Sequence, residues 1–332
     1  MNVPSSISKV AVIGLGNIAT RHRRNLKALY PNVTLLAMSA SGRIPEEAIS
    51  DCDGIVGSID ELIAQRVQLV IVASPAPFHA RHAIALLEAN IPVLIEKPLA
   101  TTSEDCQAIC KAAERSGTPV AVGYCLRYLS SALQIKALFE QGILGELYHA
   151  HIEIGQYLPD WRPSKDYREC VSARPELGGG ALLELSHELD YSQWLLGPLA
   201  VQHAILRSSH ELGLEVEDSA DVMSTTQSGA VVTIHLDFLQ RQAYRRCRFV
   251  GQLGALEWDL IGNAIYFTDG EGRRALYSEP EWDKNQMYLE MVRDFVAATQ
   301  HQTNQAITLQ EASLSVSLIE KIKQQAQPKA VS

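Results

Sequence analysis

Val10–Ala19 reads VAVIGLGNIA. Its apolar run ends at Gly14, Gly16 and Ala19 follow at the spacing G-x-G-x-x-A, and a helical pattern covers Ile18–Leu29. A strand, a tight turn and a helix start in that order are what a dinucleotide pyrophosphate needs. Gly14 lets the chain turn sharply, Gly16 has no Cβ to hold phosphates away, and Ala19 lets the helix lie close to the strand. Asn17 and Ile18 open the helix, where unpaired N–H groups and the helix dipole favour an anion. The glycine pattern alone fits any tight strand-to-helix turn. Its position directly after a β-rich N-terminal run gives it weight.

Outward from this turn, residues 1–123 alternate strand and helix. Strands are expected at Lys9–Ile13, Thr34–Met38, Leu69–Ala73, Val93–Glu96 and Val120–Gly123, and helices at Ile18–Leu29, Ser58–Gln65, Phe78–Glu88 and Ser103–Ser116. This alternation predicts a parallel sheet with right-handed crossovers, an α/β Rossmann domain. Beyond it, 124–332 reads as an α+β domain with a large, mostly antiparallel open sheet, whose closing helices are able to pack back on the first domain. A helix over Ser130–Gln141, a strand over Glu146–Gln156 and a polar loop over Tyr157–Gly180 precede a helix over Ala181–Leu196. Seven strands between Ala200 and Ser278 and helices over Asp283–Thr299 and Leu309–Gln325 complete the chain.

Composition narrows the function. The chain of 332 residues carries 46% hydrophobic and 20% charged residues, ordinary for a soluble two-domain protein. Its net charge of −9 speaks against a nucleic-acid partner. No apolar run reaches the length of a membrane span, and MNVPSSISK lacks the features of a signal peptide. The six cysteines form no C-x-x-C pair and no disulfide framework, which suits a reducing cytoplasm. His149 and His151 share a strand face, but with no third ligand in view no metal is assigned.

Two further segments carry chemistry. VLIEKPLA, Val93–Ala100, puts Glu96, Lys97 and Pro98 at the carboxyl end of a buried strand, where open α/β sheets bind ligands. A lysine there is able to hold a substrate oxygen and stabilise developing negative charge. The second segment, Gly178–Gly197, reads GGGALLELSHELDYSQWLLG. Glu184, His187 and Asp190 are spaced three apart on its expected helix, so they share a face. A carboxylate on that face is able to tune an imidazole that shuttles a proton near neutral pH.

GLGNIA, EKP, VGYCLRY at 122–128, GGG followed by SHELD, and a largely β second domain together resemble the Gfo/Idh/MocA oxidoreductases over nearly the whole chain. The resemblance implies hydride chemistry at a sugar or cyclitol carbon, assisted by Lys97 and by His187, with Asp190 completing an H-x-x-D setting. It places Glu96 beside Lys97 at the cofactor and Tyr124 and Arg127 toward the substrate. ASPAPFH, Ala73–His79, resembles the family segment along the cofactor and implicates Ser74, Pro75 and His79. Two positions depart from the family pattern. Leu183 stands where many members have an aspartate, leaving Glu184 as the nearest acid, and Cys125 replaces a common Asn or His near the nicotinamide.

The second strand runs into Ser39-Ala40-Ser41-Gly42-Arg43, with Ser39 at the position that is acidic in NAD-preferring sites. Hydroxyls at Ser39 and Ser41 with Arg43 beyond suit a 2′-phosphate, so the sequence favours NADP over NAD. Before the histidine helix, Trp161, Arg162 and Arg168 offer an aromatic face and cationic groups to a hydroxyl-rich or anionic substrate. A cytoplasmic NAD(P)-dependent sugar dehydrogenase is the reading, assembled as a homodimer or homotetramer through the second domain's sheet. An NAD-dependent glycoside hydrolase of the same fold and a non-catalytic nucleotide sensor are the rivals.

Overall fold

The computed structural model describes residues 7–326. These fold as two compact units. One holds the chain up to Cys125 together with Tyr288–Val316, and the other holds Leu126–Met287 together with the described residues from Ser317 onward.

The first unit is built on six parallel strands, β1 (Lys9–Ile13), β2 (Thr34–Met38), β3 (Gly54–Val56), β4 (Val70–Val72), β5 (Val93–Glu96) and β6 (Val120–Gly123), joined by α1 (Asn17–Leu29), α2 (Ile59–Ala64), α3 (His79–Glu88) and α4 (Ser103–Ser116). Val10–Ile13, Val70–Val72 and Val93–Ile95 are buried at every position, as continuous apolar strands covered on both faces should be. Local signals set the helix ends. The Thr102 hydroxyl accepts the Asp105 N–H at 3.1 Å to start α4, and Gly117, in the left-handed conformation, stops it. The strand order β3-β2-β1-β4-β5-β6 reverses direction between β1 and β4, which opens a crevice at their carboxyl ends. Five of these strands are expected from the sequence and the sixth, β3, is not. It has three residues and begins at a glycine, too short for any hydrophobic period to register.

In the second unit, α5 (Ser130–Glu140) is followed by β7 (Leu147–Gly155), α6 (Ala181–Glu184), α7 (His187–Leu196), β8 (Ala200–Arg207), β9 (Ser219–Thr225), β10 (Val231–Asp237), β11 (Tyr244–Gly251), β12 (Gly254–Asp259), β13 (Ala264–Asp269) and β14 (Gly272–Ser278). The strands form one sheet in the order β14-β13-β12-β11-β7-β10-β9-β8, antiparallel throughout except for the parallel pair β7 and β10. On one face Trp258 donates its indole N–H to Ser131 Oγ of α5 at 2.8 Å, and Tyr191 of α7 meets it edge-on at 5.1 Å. The chain closes with α8 (Gln286–Thr299) and α9 (Leu309–Gln325). Ahead of α9, the Ile307 carbonyl accepts the Val122 N–H of β6 at 3.0 Å.

One expectation for the second unit is corrected. The single helix over Ala181–Leu196 is two helices broken at Leu185-Ser186, although neither glycine nor proline marks the break. Glu184 therefore does not share one helical face with His187 and Asp190. The polar loop before it contains four short 3₁₀ turns at Leu158–Trp161, Tyr167–Glu169, Val171–Ala173 and Pro175–Leu177.

The sheet's other face carries a charged row. Across β9, β10, β7, β11 and β12 the register aligns Asp221, His235, Glu153, Arg246 and Asp259. His235 lies 2.7 Å from Asp221 and 2.9 Å from Asp237. Hydrogen bonds to Asp221 and then Asp237 push it up to about 10. A raised imidazole contributes its full stabilisation below its unfolded value of 6.5 and loses it as pH climbs toward 10. The stability gap between wild type and His235→Asn, read from urea midpoints at pH 6, 8 and 10, should shrink steadily across that series.

Candidate active site

Gly14 ties three strand ends together. Its N–H donates to Met38 O of β2 at 2.8 Å, and at its φ of +120° a Cβ would overlap the Ala73 carbonyl oxygen at the end of β4. Gly16, the N-cap of α1, uses no side chain to cap the helix, and nothing lies within 4 Å of the point its Cβ would occupy. Unclaimed amides facing an open cradle are what a pyrophosphate requires, so these residues fit a dinucleotide. Asn17 and Ile18 are the first helical residues of α1.

After β2, Gly42 N–H donates to Ser39 O at 3.1 Å and closes a turn over Ser39–Gly42. Ser39 is 8% exposed, and its Oγ has no hydrogen-bond partner among the described residues. Ser41 Oγ accepts the Arg43 N–H at 3.5 Å, and the Arg43 side chain is exposed. Two residues of α3 that sequence reasoning missed reach this turn. Arg81 donates Nη2–H to Ala40 O at 3.1 Å, lies 3.3 Å from His82 Nε2, and stacks over the Phe78 ring at 5.3 Å. His82 Nδ1 is 3.0 Å from Ser74 Oγ. Burial, then the charges of Arg81 and His79, push His82 down to about 4. It is thus a neutral ring, with Nε2 within hydrogen-bond distance of Arg81 and Nδ1 of Ser74 Oγ. Pro75 precedes a short turn over Ala76–Phe78 that leads into α3.

The structure corrects the placement of two expected cofactor ligands. His79 is buried, with its ring nitrogens 2.9 Å from Pro98 O and 2.8 Å from Ser74 O, and burial lowers its pKa. It clasps two loops inside the fold. Glu96 is buried at the end of β5, with Oε1 2.6 Å from His22 Nε2 of α1 and Oε2 accepting the Lys97 N–H at 3.1 Å. Burial pushes its carboxyl up, but the His22 hydrogen bond and the charges of His22 and Lys97 outweigh this and hold it below its ordinary value. Tyr288 of α8 meets His22 edge-on at 6.3 Å under Arg21, and its phenol, raised by burial and then by Cys125, hydrogen-bonds that thiol. Lys97 follows β5 directly, and Tyr124 is fully buried.

In the second unit, close approach at the glycine run is made by the protein itself. A Cβ at Gly179 would lie 2.6 Å from Val171 O, and one at Gly180 2.5 Å from the Glu217 carboxylate. Glu217 in turn accepts the Leu182 N–H at 3.2 Å, capping α6. Glu184 accepts from Ser172 Oγ at 2.8 Å, and half-buried His187 opens α7. Asp190 is 2% exposed and is gripped bidentately by Arg127, at 2.9 and 2.8 Å. Trp161 meets Phe238 edge-on at 5.4 Å, and its buried indole N–H has no partner among the described residues. Arg162 is half-buried, whereas exposed Arg168 lies over the Tyr167 ring and 3.8 Å from Asp166. Glu188, fully buried against Arg245 at 2.6 and 2.9 Å, is a second buried pair that the sequence did not reveal.

A model of an oxidoreductase family with an NAD-binding Rossmann fold, Gfo/Idh/MocA, matches residues 8–124, and that of its C-terminal domain matches 132–257. The chain belongs to the Gfo/Idh/MocA oxidoreductase family. It is 28% identical to an inositol 2-dehydrogenase of Streptomyces avermitilis, over 78% of this chain and 74% of the relative. It is 25% identical to a D-glucoside 3-dehydrogenase of Escherichia coli, over 88% of each chain. Among solved structures, a levoglucosan dehydrogenase in complex with NADH and levoglucosan superposes with a TM-score of 0.82 at 18% identity, covering 96% of this chain and 98% of that one. The WlbA dehydrogenase of Bordetella pertussis, in complex with NADH and UDP-GlcNAcA, has a TM-score of 0.81 at 19% identity, covering 98% and 97%. None of the described helices is long and apolar enough to cross a membrane. No group of three or more His, Cys, Asp or Glu among the described residues is placed to hold a metal.

Removing one partner of a buried ion pair strands the other charge. Arg127→Ala should therefore cost about 3–5 kcal/mol of stability by chemical denaturation. Arg127→Lys should recover only part of it, because an ammonium does not reproduce the fork.

Proposed function

We propose that this protein is an NAD(P)(H)-dependent oxidoreductase, with NADP(H) the favoured coenzyme, that interconverts a secondary alcohol and a ketone on a sugar, a sugar derivative such as a nucleotide sugar, or a cyclitol. The observation that carries the proposal is the carboxyl edge of the parallel sheet. There the open cradle at Gly16 and the lysine that follows β5 stand on one edge of one sheet. Residues 1–123 bind the coenzyme and 124–332 the substrate and a second copy of the chain. Sugar chemistry is supported by the names of the inositol and glucoside dehydrogenase relatives. The aromatic and cationic residues Trp161, Arg162 and Arg168 suit such a ligand.

The bound nicotinamide supplies the hydride acceptor. The chain's own residues handle the oxygen and the proton. Lys97 holds the reacting oxygen with its ammonium, opposing the negative charge that builds there as the C–H bond breaks. His187 takes the hydroxyl proton in the oxidation direction and returns it in reduction. Asp190 is neutralised by Arg127, so it positions the start of α7, and Tyr124 and Arg127 shape the substrate side. Glu184, which accepts from Ser172 Oγ, is the acid that assists His187. Ser39, Ser41 and Arg43 favour the 2′-phosphate of NADP, and a carboxylate that would repel it is missing from the end of β2. The protein works in the cytoplasm as a dimer or tetramer joined through the charged face of the eight-stranded sheet.

General acid–base assistance is worth about 10²–10⁴-fold in rate. His187→Ala and Lys97→Ala should each lower kcat by about that factor, and in His187→Ala coenzyme affinity, read by fluorescence titration, should stay near wild type. Full turnover in either variant would remove that residue from the mechanism. Reduced coenzyme should accumulate in step with oxidised sugar. Turnover of a glycoside with no net NADPH or NADH would favour the hydrolase instead.

A further inference from the structure

Most exposed arginines of this chain stand beside a carboxylate, as Arg24, Arg115, Arg246 and Arg293 do. Arg81 has no carboxylate partner among the described residues, yet it is held in place. Its Nη2 is engaged by Ala40 O and His82 Nε2, and the Phe78 ring supports its plane. A guanidinium has five N–H donors, so the Nε and Nη1 hydrogens remain available for an anion. The carbonyl it grips belongs to the turn over Ser39–Gly42, the turn that follows the second strand of a doubly wound sheet. Ser39, more than nine-tenths buried, opens that turn, and its Oγ has no partner among the described residues. An anchored guanidinium with no carboxylate beside it, fixed on the turn after the second strand, is an observation that an anionic ligand there accounts for.

We propose that Arg81 is a coenzyme-specificity residue that, with the hydroxyls of Ser39 and Ser41, reads the 2′-phosphate of NADP(H). This rests on the NADP(H) reading above and adds the group that enforces it. Arg43 directly follows this turn, but its exposed side chain has no anchor among the described residues and contributes only general positive charge. Arg81 is pre-organised by three contacts, and the cost of ordering it is already met in the free protein. The neutral ring of His82 lies within hydrogen-bond distance of both Arg81 and Ser74, which extends the anchor to the end of β4.

The test measures dissociation constants of NADPH and NADH for wild type, Arg81→Gln, Arg81→Lys and Arg43→Gln, by nicotinamide fluorescence on the full chain. NADH affinity is the internal reference for folding. Charge-assisted hydrogen bonds of this kind imply that Arg81→Gln weakens NADPH about 10–100-fold relative to NADH. Arg81→Lys should lose less, and Arg43→Gln least. If wild type prefers NADPH and Arg81→Gln keeps that preference, the coenzyme reading stands and the role of Arg81 is overturned. If wild type binds NADPH no better than NADH, both fall together. A large loss confined to Arg43→Gln assigns the phosphate to the other arginine.

Discussion

No side chain fits between Gly14 and the Ala73 carbonyl. That one steric constraint sets how closely the ends of β1 and β4 approach, and much of the first unit follows from it. The end of β4 carries Ser74, which engages His82, and His82 engages Arg81 above the turn after β2. The turn at Gly14 also aims α1, so Gly16 opens toward the crevice while His22, two turns along, reaches Glu96 under β5. Gly16 at the start of α1 and the end of β5 that precedes Lys97 are thus both referenced to the same point.

Charge inside this protein is used for fastening. His22 with Glu96, Arg127 with Asp190 and Arg245 with Glu188 each join elements distant in sequence, and each acidic partner is almost fully buried. Such pairs add little net stability over a well-packed apolar substitute, because desolvation offsets their attraction. What they add is geometry. Glu96 fixes the amide of Lys97 while its other oxygen is held by His22, and Arg127 fixes the helix that His187 opens. Ionisable side chains are therefore of two kinds here, buried ones engaged by the protein and exposed ones such as Arg43 that face solvent.

That division explains what could be read from the chain. Runs such as VAVI and VLIE announce buried parallel strands through composition alone, and the glycine turn announces its ligand through spacing. Position in the chain does not reveal which way a side chain turns, so His79 at the start of α3 and Glu96 at the end of β5, both expected at the coenzyme, are found engaged inside the fold. Arg81 and His82 went unread because HARH fits the ordinary first turn of an amphipathic helix. The break at Leu185-Ser186 interrupts a pattern that stays apolar on both sides of it. In each case the deciding contact comes from a residue far away in sequence.

The bond from Val122 to Ile307 has a meaning beyond local order. β6 is the last strand of its sheet, and an outer strand with bare amides is a template for another chain to pair with. The segment before α9 occupies one of those amides. A protein cut short ahead of it would present a ready edge to its neighbours, so proteolytic trimming there would be expected to show first as loss of solubility rather than loss of catalysis.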